Sequence, residues 1–193
     1  MKQIRYEYLV DLVRFQKPKT IVEIGLARGV NSCAMMNVAP KDAHFIGYDV
    51  FDTMPPEWHK MVGNGKKVDS QQMIESKLKR FTNNITLVAG LTEDTLWNNP
   101  VDTDFTFIDG DHRIDAIRKD FEAINSKIYV FDDYYPDGIH SGFSIDEFGC
   151  NAIVEKLDNV IITSKTVKIP QVRLAVYIPD DELFTQVKEK VNL

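Results

Sequence analysis

Three short, almost uninterrupted apolar runs limit most strictly what this chain can fold into. Each run ends at a glycine or an aspartate: TIVEIG at 20–25, FTFIDG at 105–110 and IYVFDD at 128–133. A strand has such a continuous apolar run when both of its faces are buried, and helices join strands of this kind in parallel sheets. The sequence therefore predicts an α/β fold of the Rossmann-like, doubly wound type. We expect a mostly parallel seven-stranded sheet with helices on both faces.

The spacing of apolar and turn residues predicts where each element lies. The predicted strands are 20–24, 44–50, 85–88, 104–108, 127–131, 160–163 and 172–178. The predicted helices are 4–16, 29–38, 70–81, 114–125 and 148–157.

The N-terminal residues 1–17 are predicted to contain the first helix of a single domain that spans 1–193. Apolar side chains recur on one helical face of residues 4–16, and Pro18 cannot continue a helix. The face consists of Ile4, Tyr8, Leu9, Leu12 and Phe15. A chain of 193 residues rarely divides its core, which favours one domain.

The segment 51–69 is the longest stretch without clear periodicity. It contains two prolines and two glycines, and a stretch of this kind is a lid over a binding site or a surface insertion without a role. Trp58 and His59 within it favour the lid.

Charge and composition favour a small molecule as the partner. The 23 basic and 29 acidic residues give a net charge of −6, which argues against a surface that binds nucleic acid. No apolar run approaches the ~20 residues of a membrane helix, and the first residues lack the pattern of a secretory signal. Cys33 and Cys150 are too few for a disulfide framework. We expect a cytoplasmic protein, with a homodimer as the commonest default.

A glycine turn follows the first predicted strand in the segment VEIGLARG at 22–29. Gly25 allows a tight turn, and Gly29 lets the next helix begin close to a ligand. The pattern E-x-G-x-x-x-G differs from the glycine patterns of dinucleotide folds and P-loops. Because Glu23 is acidic, the turn suits a cationic ligand, such as an ammonium or a sulfonium, better than a phosphate.

An aspartate ends the second predicted strand. Asp49 lies where it could accept hydrogen bonds from both hydroxyls of a ribose, although it could also merely cap a loop. Together with a turn that lacks a phosphate cradle, the ribose interpretation favours S-adenosylmethionine over NAD. After the third strand, Gly90, Leu91 and Thr92 lie where the adenine would bind, and Leu91 could pack on the ring.

Acidic residues end two further strands, in IDGDH at 108–112 and FDDYY at 131–135. Neighbouring strands lie about 4.8 Å apart, so Asp109 is expected to meet Asp132 or Asp133. A divalent cation would relieve their repulsion, and carboxylates with water suit Mg²⁺. Alternatively, Asp109 or Asp111 caps the following helix.

One histidine is expected to face the same cleft. His112 follows Asp109 by three residues at the start of a helix and is a candidate general base. His59 and His140 are weaker candidates, and His44 is expected only to enter a strand.

These segments occur in an order that resembles the class I S-adenosylmethionine-dependent methyltransferases. The resemblance covers residues 20–135 and rests on VEIGLARG, GYDV, IDGDH and FDDYY. IDGDH followed by an Asp-Asp pair is similar to the metal-dependent, macrocin-type sugar O-methyltransferases and, more distantly, to catechol O-methyltransferase. Catechol-type enzymes use a lysine base and an asparagine as third metal ligand. Here Asp133 replaces that asparagine and IDGDH contains no lysine, so the sugar type fits better.

The resemblance implies a role for each matching residue. Glu23, Gly25, Gly29 and Asp49 would bind the cofactor, Asp109, Asp132 and Asp133 would hold Mg²⁺, and His112 would be the base. Gly90, Leu91 and Thr92, which are assigned by position alone, and Asp109 complete the predicted cofactor site, and Asp109 joins His112 as a predicted catalytic residue. The metal would lower the pKa of a substrate hydroxyl of a sugar or another vicinal diol, and His112 would accept its proton. The side chains of Tyr134 and Tyr135 would line the cleft. No additional capping domain is apparent, which leaves the substrate open.

Other functions remain open at this point. The first is a metal-dependent glycosyltransferase that uses Asp109-Gly110-Asp111 as a D-x-D motif. The second is a non-catalytic protein that binds a nucleoside. A nicotinamide dehydrogenase fits less well, because the phosphate-binding turn is wrong.

Overall fold

The computed structural model describes residues 5–53, 68–138, 144–164 and 172–191. Its strands form one seven-stranded sheet in the order β3-β2-β1-β4-β5-β7-β6. The strands are β1 (Thr20–Ile24), β2 (His44–Asp49), β3 (Ile85–Ala89), β4 (Val101–Ile108), β5 (Ile124–Tyr134), β6 (Val160–Ile162) and β7 (Arg173–Tyr177). All pairs from β3 to β5 are parallel, and β7 is antiparallel to both β5 and β6. The predicted fold class is therefore confirmed.

Seven α-helices accompany the strands in the described residues. They are α1 (Glu7–Gln16), α2 (Val30–Val38), α3 (Gln71–Leu78), α4 (Thr92–Thr95), α5 (Ile114–Glu122), α6 (Asn151–Val154) and α7 (Asp181–Lys190). A 3₁₀ turn at Phe51–Thr53 follows β2. None of the described helices is long and apolar enough to cross a membrane.

The two faces of the sheet have separate cores, because successive side chains of a strand point to opposite sides. Ile21 of β1 packs with residues of α1, α2, α3 and α7, whereas the adjacent Val22 packs with residues of α5 and α6. Helices therefore cover both faces. The C-terminal ends of β1, β2, β4 and β5 share one edge of the sheet, which is where open α/β folds bind ligands.

Several predicted boundaries differ from the structure. β5 extends three residues on each side of the predicted 127–131, and β4 begins three residues before the predicted 104. The predicted helix at 148–157 is helical only over Asn151–Val154, and the helix α7 was not predicted. The predicted lid at 51–69 lies mostly outside the described residues, as do Trp58, His59 and His140.

Candidate functional site

The glycine turn after β1 lies directly against the end of β4. Gly25 has a φ of 82°, and a Cβ built on it would lie only 2.0 Å from the carbonyl oxygen of Asp109. Hydrogen bonds join the two strand ends here, since the amide of Asp109 donates to the carbonyl of Ile24 at 2.9 Å. Only glycine fits this position, as predicted, and it brings the turn into contact with the first acidic residue.

Asp49 fixes the shape of that turn. One carboxylate oxygen accepts hydrogen bonds from the amides of Leu26 and Ala27 at 2.6 and 2.9 Å, and the other accepts one from the amide of Phe51 at 2.6 Å. The structure thus gives Asp49 a role that the sequence did not reveal. Its contact with a ribose stays a prediction.

Glu23 lies beneath the turn rather than on the surface of the cleft. Glu23 is only 1% exposed, and its Oε2 atom has no hydrogen-bond partner among the described residues. Burial, opposed by Ser32 and reinforced by the charge of Asp49, raises the pKa of Glu23 to about 8. The carboxyl group is therefore mostly neutral at pH 7, so the predicted attraction for a cationic ligand is weaker than expected from a carboxylate.

The remaining predicted cofactor residues lie around the same edge. Gly29 has a φ of 67° at the N-cap of α2. The amide of Gly90 donates to the carbonyl of Asp49 at 3.0 Å, which places Leu91 and Thr92 beside the end of β2. The fold therefore brings the three predicted adenine residues next to the predicted ribose residue.

A β-bulge brings two consecutive acids of β5 to one place. The pairing of β5 with β7 shifts between Phe131 and Tyr134, and Asp133 has a φ of 56°. A bulge re-aims side chains that would otherwise alternate between the faces of the sheet. Both Asp132 and Asp133 consequently contact the same cation, the guanidinium of Arg5.

Asp109 and Asp132 lie close enough to perturb each other. Burial first, and then the charge of Asp132, raises the pKa of Asp109 well above its ordinary value. Burial also raises the pKa of Asp132, although Arg5 opposes the change. The Oδ1 atom of Asp132 is buried and has no hydrogen-bond partner among the described residues. The predicted convergence of acids is therefore present.

Two residues at the N-terminus belong to this acidic cluster and were missed. The guanidinium of Arg5 contacts Asp132 at 3.0 Å and Asp133 at 3.3 Å, and the hydroxyl of Tyr6 donates to Asp132 at 2.9 Å. Arg5 and Tyr6 are more than 120 residues away from these acids in the chain, so no local sequence pattern marks the contacts. An arginine directly before an amphipathic helix was the only hint.

His112 is hydrogen-bonded to an acid of the cluster. Its Nδ1 lies 3.0 Å from the Oδ2 of Asp133, which also accepts a hydrogen bond from the hydroxyl of Tyr135 at 2.9 Å. Burial lowers the pKa of His112, but the hydrogen bond and charge of Asp133 outweigh it and raise the pKa overall. Burial raises the pKa of the Asp133 carboxyl, but the hydrogen bonds from His112 and Tyr135 and the charges of His112 and Arg5 outweigh it. The pKa of Asp133 is therefore lowered. Nε2 is thus the ring nitrogen that could face a substrate.

The described segment 144–149 contacts the backbone of His112 and its neighbour, which sequence reasoning also missed. The amide of Gly149 donates to the carbonyl of His112 at 2.9 Å, and Arg113 forms a bridge with Phe148. A Cβ on Gly149 would lie 2.6 Å from the carbonyl oxygen of Asp133. Glycine is therefore required where this loop contacts both members of the pair.

Asp111 has a different role from the other acids. Its carboxylate accepts hydrogen bonds from the amide and the side chain of Arg113 at 3.0 and 2.8 Å, directly before α5. The predicted alternative, a helix cap, is not found for Asp111, because the N-cap residue of α5 is Arg113 and no side chain caps it. Asp111 points to its own loop, which removes one half of the D-x-D pattern.

The predicted Mg²⁺ site is not confirmed. The oxygens have the right chemistry, and the orphaned Oδ1 of Asp132 could accept a cation. However, no group of three His, Cys, Asp or Glu side chains in the described residues is arranged to hold a metal ion. Arg5 already contacts one oxygen of each acid of β5. The described arrangement therefore fits a bound guanidinium and does not fit a metal ion.

Solved structures with this fold include several methyltransferases. The O-methyltransferase TomG from Streptomyces achromogenes, involved in tomaymycin synthesis and solved with SAM, has a TM-score of 0.64 and 15% identity, over 91% of this chain and 79% of that chain. An O-methyltransferase from Bacillus cereus with SAH has a TM-score of 0.63 and 17% identity, over 91% and 80%. The SAH-bound methyltransferase PaMTH1 from Podospora anserina has a TM-score of 0.56 and 16% identity, over 93% of this chain and 80% of that chain. At these identities the likeness shows the fold.

A family model gives the more specific result. The model described as "Methyltransferase domain" matches residues 22–134, more than half of the chain and nearly the same span as the resemblance above. No curated protein matches the chain. The matched residues run from the strand before the glycine turn to the end of the acidic strand β5, so they include most of the site. The predicted class of enzyme is therefore confirmed, and the chain belongs to the methyltransferase-domain family.

Proposed function

We propose that this protein is an S-adenosylmethionine-dependent O-methyltransferase that acts on a hydroxyl group of a small molecule, such as a sugar or another vicinal diol. The observation that carries the proposal is the His112–Asp133 pair at 3.0 Å, at the sheet edge that also holds the glycine turn. The solved neighbours with bound SAM or SAH support the choice of cofactor.

The cofactor would lie along the turn, with Asp49 and Gly90 beside it. Backbone contact between Gly25 and Asp109 leaves no room for side chains between the turn and the acids. When bound, S-adenosylmethionine supplies an electrophilic methyl group on a sulfonium. The net charge of −6 favours a cationic ligand over a phosphate-rich one.

His112 is the base in this proposal. The substrate hydroxyl would donate its proton to Nε2 of His112 as its oxygen attacks the methyl group that the cofactor would supply, and the electron pair of the carbon–sulfur bond would stay with the sulfur of the leaving S-adenosylhomocysteine. Asp133 orients the imidazole through Nδ1 and stabilises the imidazolium that results. Tyr135 and Gly149 hold Asp133 and the backbone of His112 in place.

The predicted Mg²⁺ is assigned no step in this mechanism, because the described arrangement pairs Asp132 and Asp133 with Arg5. Family membership favours methyl transfer over the glycosyltransferase alternative, and the pairing of Asp111 with Arg113 agrees with that choice.

Calorimetry and labelled-methyl transfer test the proposal together. The purified protein should bind S-adenosylhomocysteine, and a panel of sugars and catechols should accept label from S-adenosylmethionine. His112→Asn should lower kcat by about 10²- to 10⁴-fold, the range typical of a lost general base, and leave S-adenosylhomocysteine affinity nearly unchanged.

His44→Asn is the matched control. His44 is also a histidine that bonds a neighbour, Thr86, at 2.9 Å, but it lies at the opposite end of β2. It should not affect turnover. Absence of S-adenosylhomocysteine binding, or equal turnover in both histidine variants, would contradict the proposal.

A further inference from the structure

Arg5 is held in the acidic cluster by more than its charge. Its guanidinium lies 4.6 Å from the centre of the Tyr6 ring, and Tyr6 packs edge-on against Phe107 of β4 at 6.2 Å. The Arg5 side chain is only 19% exposed. Directly after it, α1 buries Tyr8, Leu9, Leu12 and Val13 against the sheet. The position of Arg5 is therefore built into the docking of the N-terminal helix.

The contacts of Arg5 use the atoms that a metal ion would need. One nitrogen contacts Oδ2 of Asp132, which also accepts the hydroxyl of Tyr6, and the other contacts Oδ1 of Asp133. An arginine cannot lose its proton in a protein, so it provides a permanent positive charge between these two acids. A divalent cation on the same carboxylates would be repelled by that charge and would have to displace the side chain.

We propose that Arg5 is the resident counter-cation of the acidic cluster and that it pairs with Asp132 and Asp133, two of the acids from which the sequence predicts a Mg²⁺ site. Arg5 is a positioning residue: it orients the acid that in turn orients His112. Arg5, which lies just before α1, thereby compensates the negative charge of Asp132 and Asp133. A metal ion would otherwise be required for that compensation.

Binding of Mn²⁺, measured by calorimetry on the full chain, tests this proposal without any turnover. Arg5→Gln should bind Mn²⁺ at least about tenfold more tightly than the wild type, because the competing charge is gone. Arg5→Lys retains the charge and should stay close to the wild type. Arg14→Gln is the control, since Arg14 lies in α1, the helix that follows Arg5, but pairs with the partly exposed Asp11 at 2.7 Å. It should not change Mn²⁺ affinity.

A measurement on the wild type does not depend on whether a variant folds. Saturating Mn²⁺ should displace Arg5 and increase hydrogen exchange at the amides of residues 6–10. Equal Mn²⁺ affinity of Arg5→Gln and the wild type, or unchanged exchange at saturating Mn²⁺, would overturn the proposal. The proposed methyl transfer is judged separately by S-adenosylhomocysteine binding and by turnover in EDTA.

Discussion

Gly25→Ala offers the most direct test of how the glycine turn is built. The substitution places a Cβ 2.0 Å from the carbonyl oxygen of Asp109, whereas ordinary van der Waals contact begins at 3.4 Å. The two backbones would have to separate by about 1.4 Å, the difference of those distances. All three nearest atoms belong to the backbone of residues 109 and 110, so no side chain can rotate away.

The expected cost has two parts. An alanine at positive φ costs about 1–2 kcal/mol, and forcing an extra methyl into a packed contact costs about 1–3 kcal/mol more. Gly138→Ala is the matched control, because Gly138 has nearly the same φ of 81° but no atom of the described residues within 4 Å of its Cβ position. Gly138→Ala should therefore show only the cost of an alanine at positive φ.

Urea unfolding and calorimetry with S-adenosylhomocysteine measure the two variants side by side. With a slope of about 2 kcal/mol/M, Gly25→Ala should lower the urea midpoint by about 1–2.5 M, and Gly138→Ala by less than about 1 M. Gly25→Ala should also lose cofactor binding, since β1 and β4 part at the site. Equal destabilisation by the two variants, with cofactor binding retained in both, would refute this account of the turn.

Three further predictions concern the charged groups. Asp49→Ala should cost about 2–4 kcal/mol in urea unfolding, because three backbone amides lose their acceptor, and it should weaken S-adenosylhomocysteine binding. Asp104→Asn should destabilise by about 1–3 kcal/mol at pH 7, since Asp104 accepts hydrogen bonds from the amides of Lys19 and Thr20 and pairs with Lys127 at 2.7 Å. Burial raises the pKa of Asp104, but these partners outweigh burial and lower the pKa. The stabilisation by Asp104 should therefore disappear as the pH falls from about 4 through the lowered pKa. Urea titrations at several pH values measure this loss. The profile of kcat/KM against pH should rise with an inflection above about 6.5, because the pKa of His112 is raised. Asp133→Asn should move that inflection to lower pH, and an unmoved inflection would argue against His112 as the base.

Much of the fold followed from the sequence because burial on both sides of the sheet leaves a clear pattern. The boundaries of β1 were predicted to the residue, since Thr20–Ile24 is apolar except for Thr20 and Glu23 and is followed by a glycine. The short helix at 151–154 was overestimated, because an apolar spacing suited to a helix also occurs in residues that pack as loop. The helix α7 carried clear signals, with acids in its first turn and lysines in its last, that were overlooked.

The residues of the site that the sequence did not reveal are those whose partners are distant in the chain. Arg5 contacts acids 127 and 128 residues away, and no local pattern marks such a pair. Gly149 supports His112 from a loop with no motif of its own. The bulge in β5 is equally hidden, because Phe131–Tyr134 has the composition of a regular strand end. These contacts depend on tertiary packing rather than on local propensity.

The bulge explains why consecutive acids can serve one site at all. In a regular strand Asp132 and Asp133 would point to opposite faces, and only one of them could meet Asp109. The left-handed conformation of Asp133 is one that aspartate tolerates better than most residues, which removes part of the cost of the bulge. The re-aimed Asp133 then contacts Arg5 from before α1, His112 from the turn after β4 and Tyr135 from its own strand end. One carboxylate thus connects the N-terminal helix to the proposed base, so the orientation of His112 depends on the docking of α1. A change at Arg5 can therefore affect the base without touching either the cofactor turn or the imidazole.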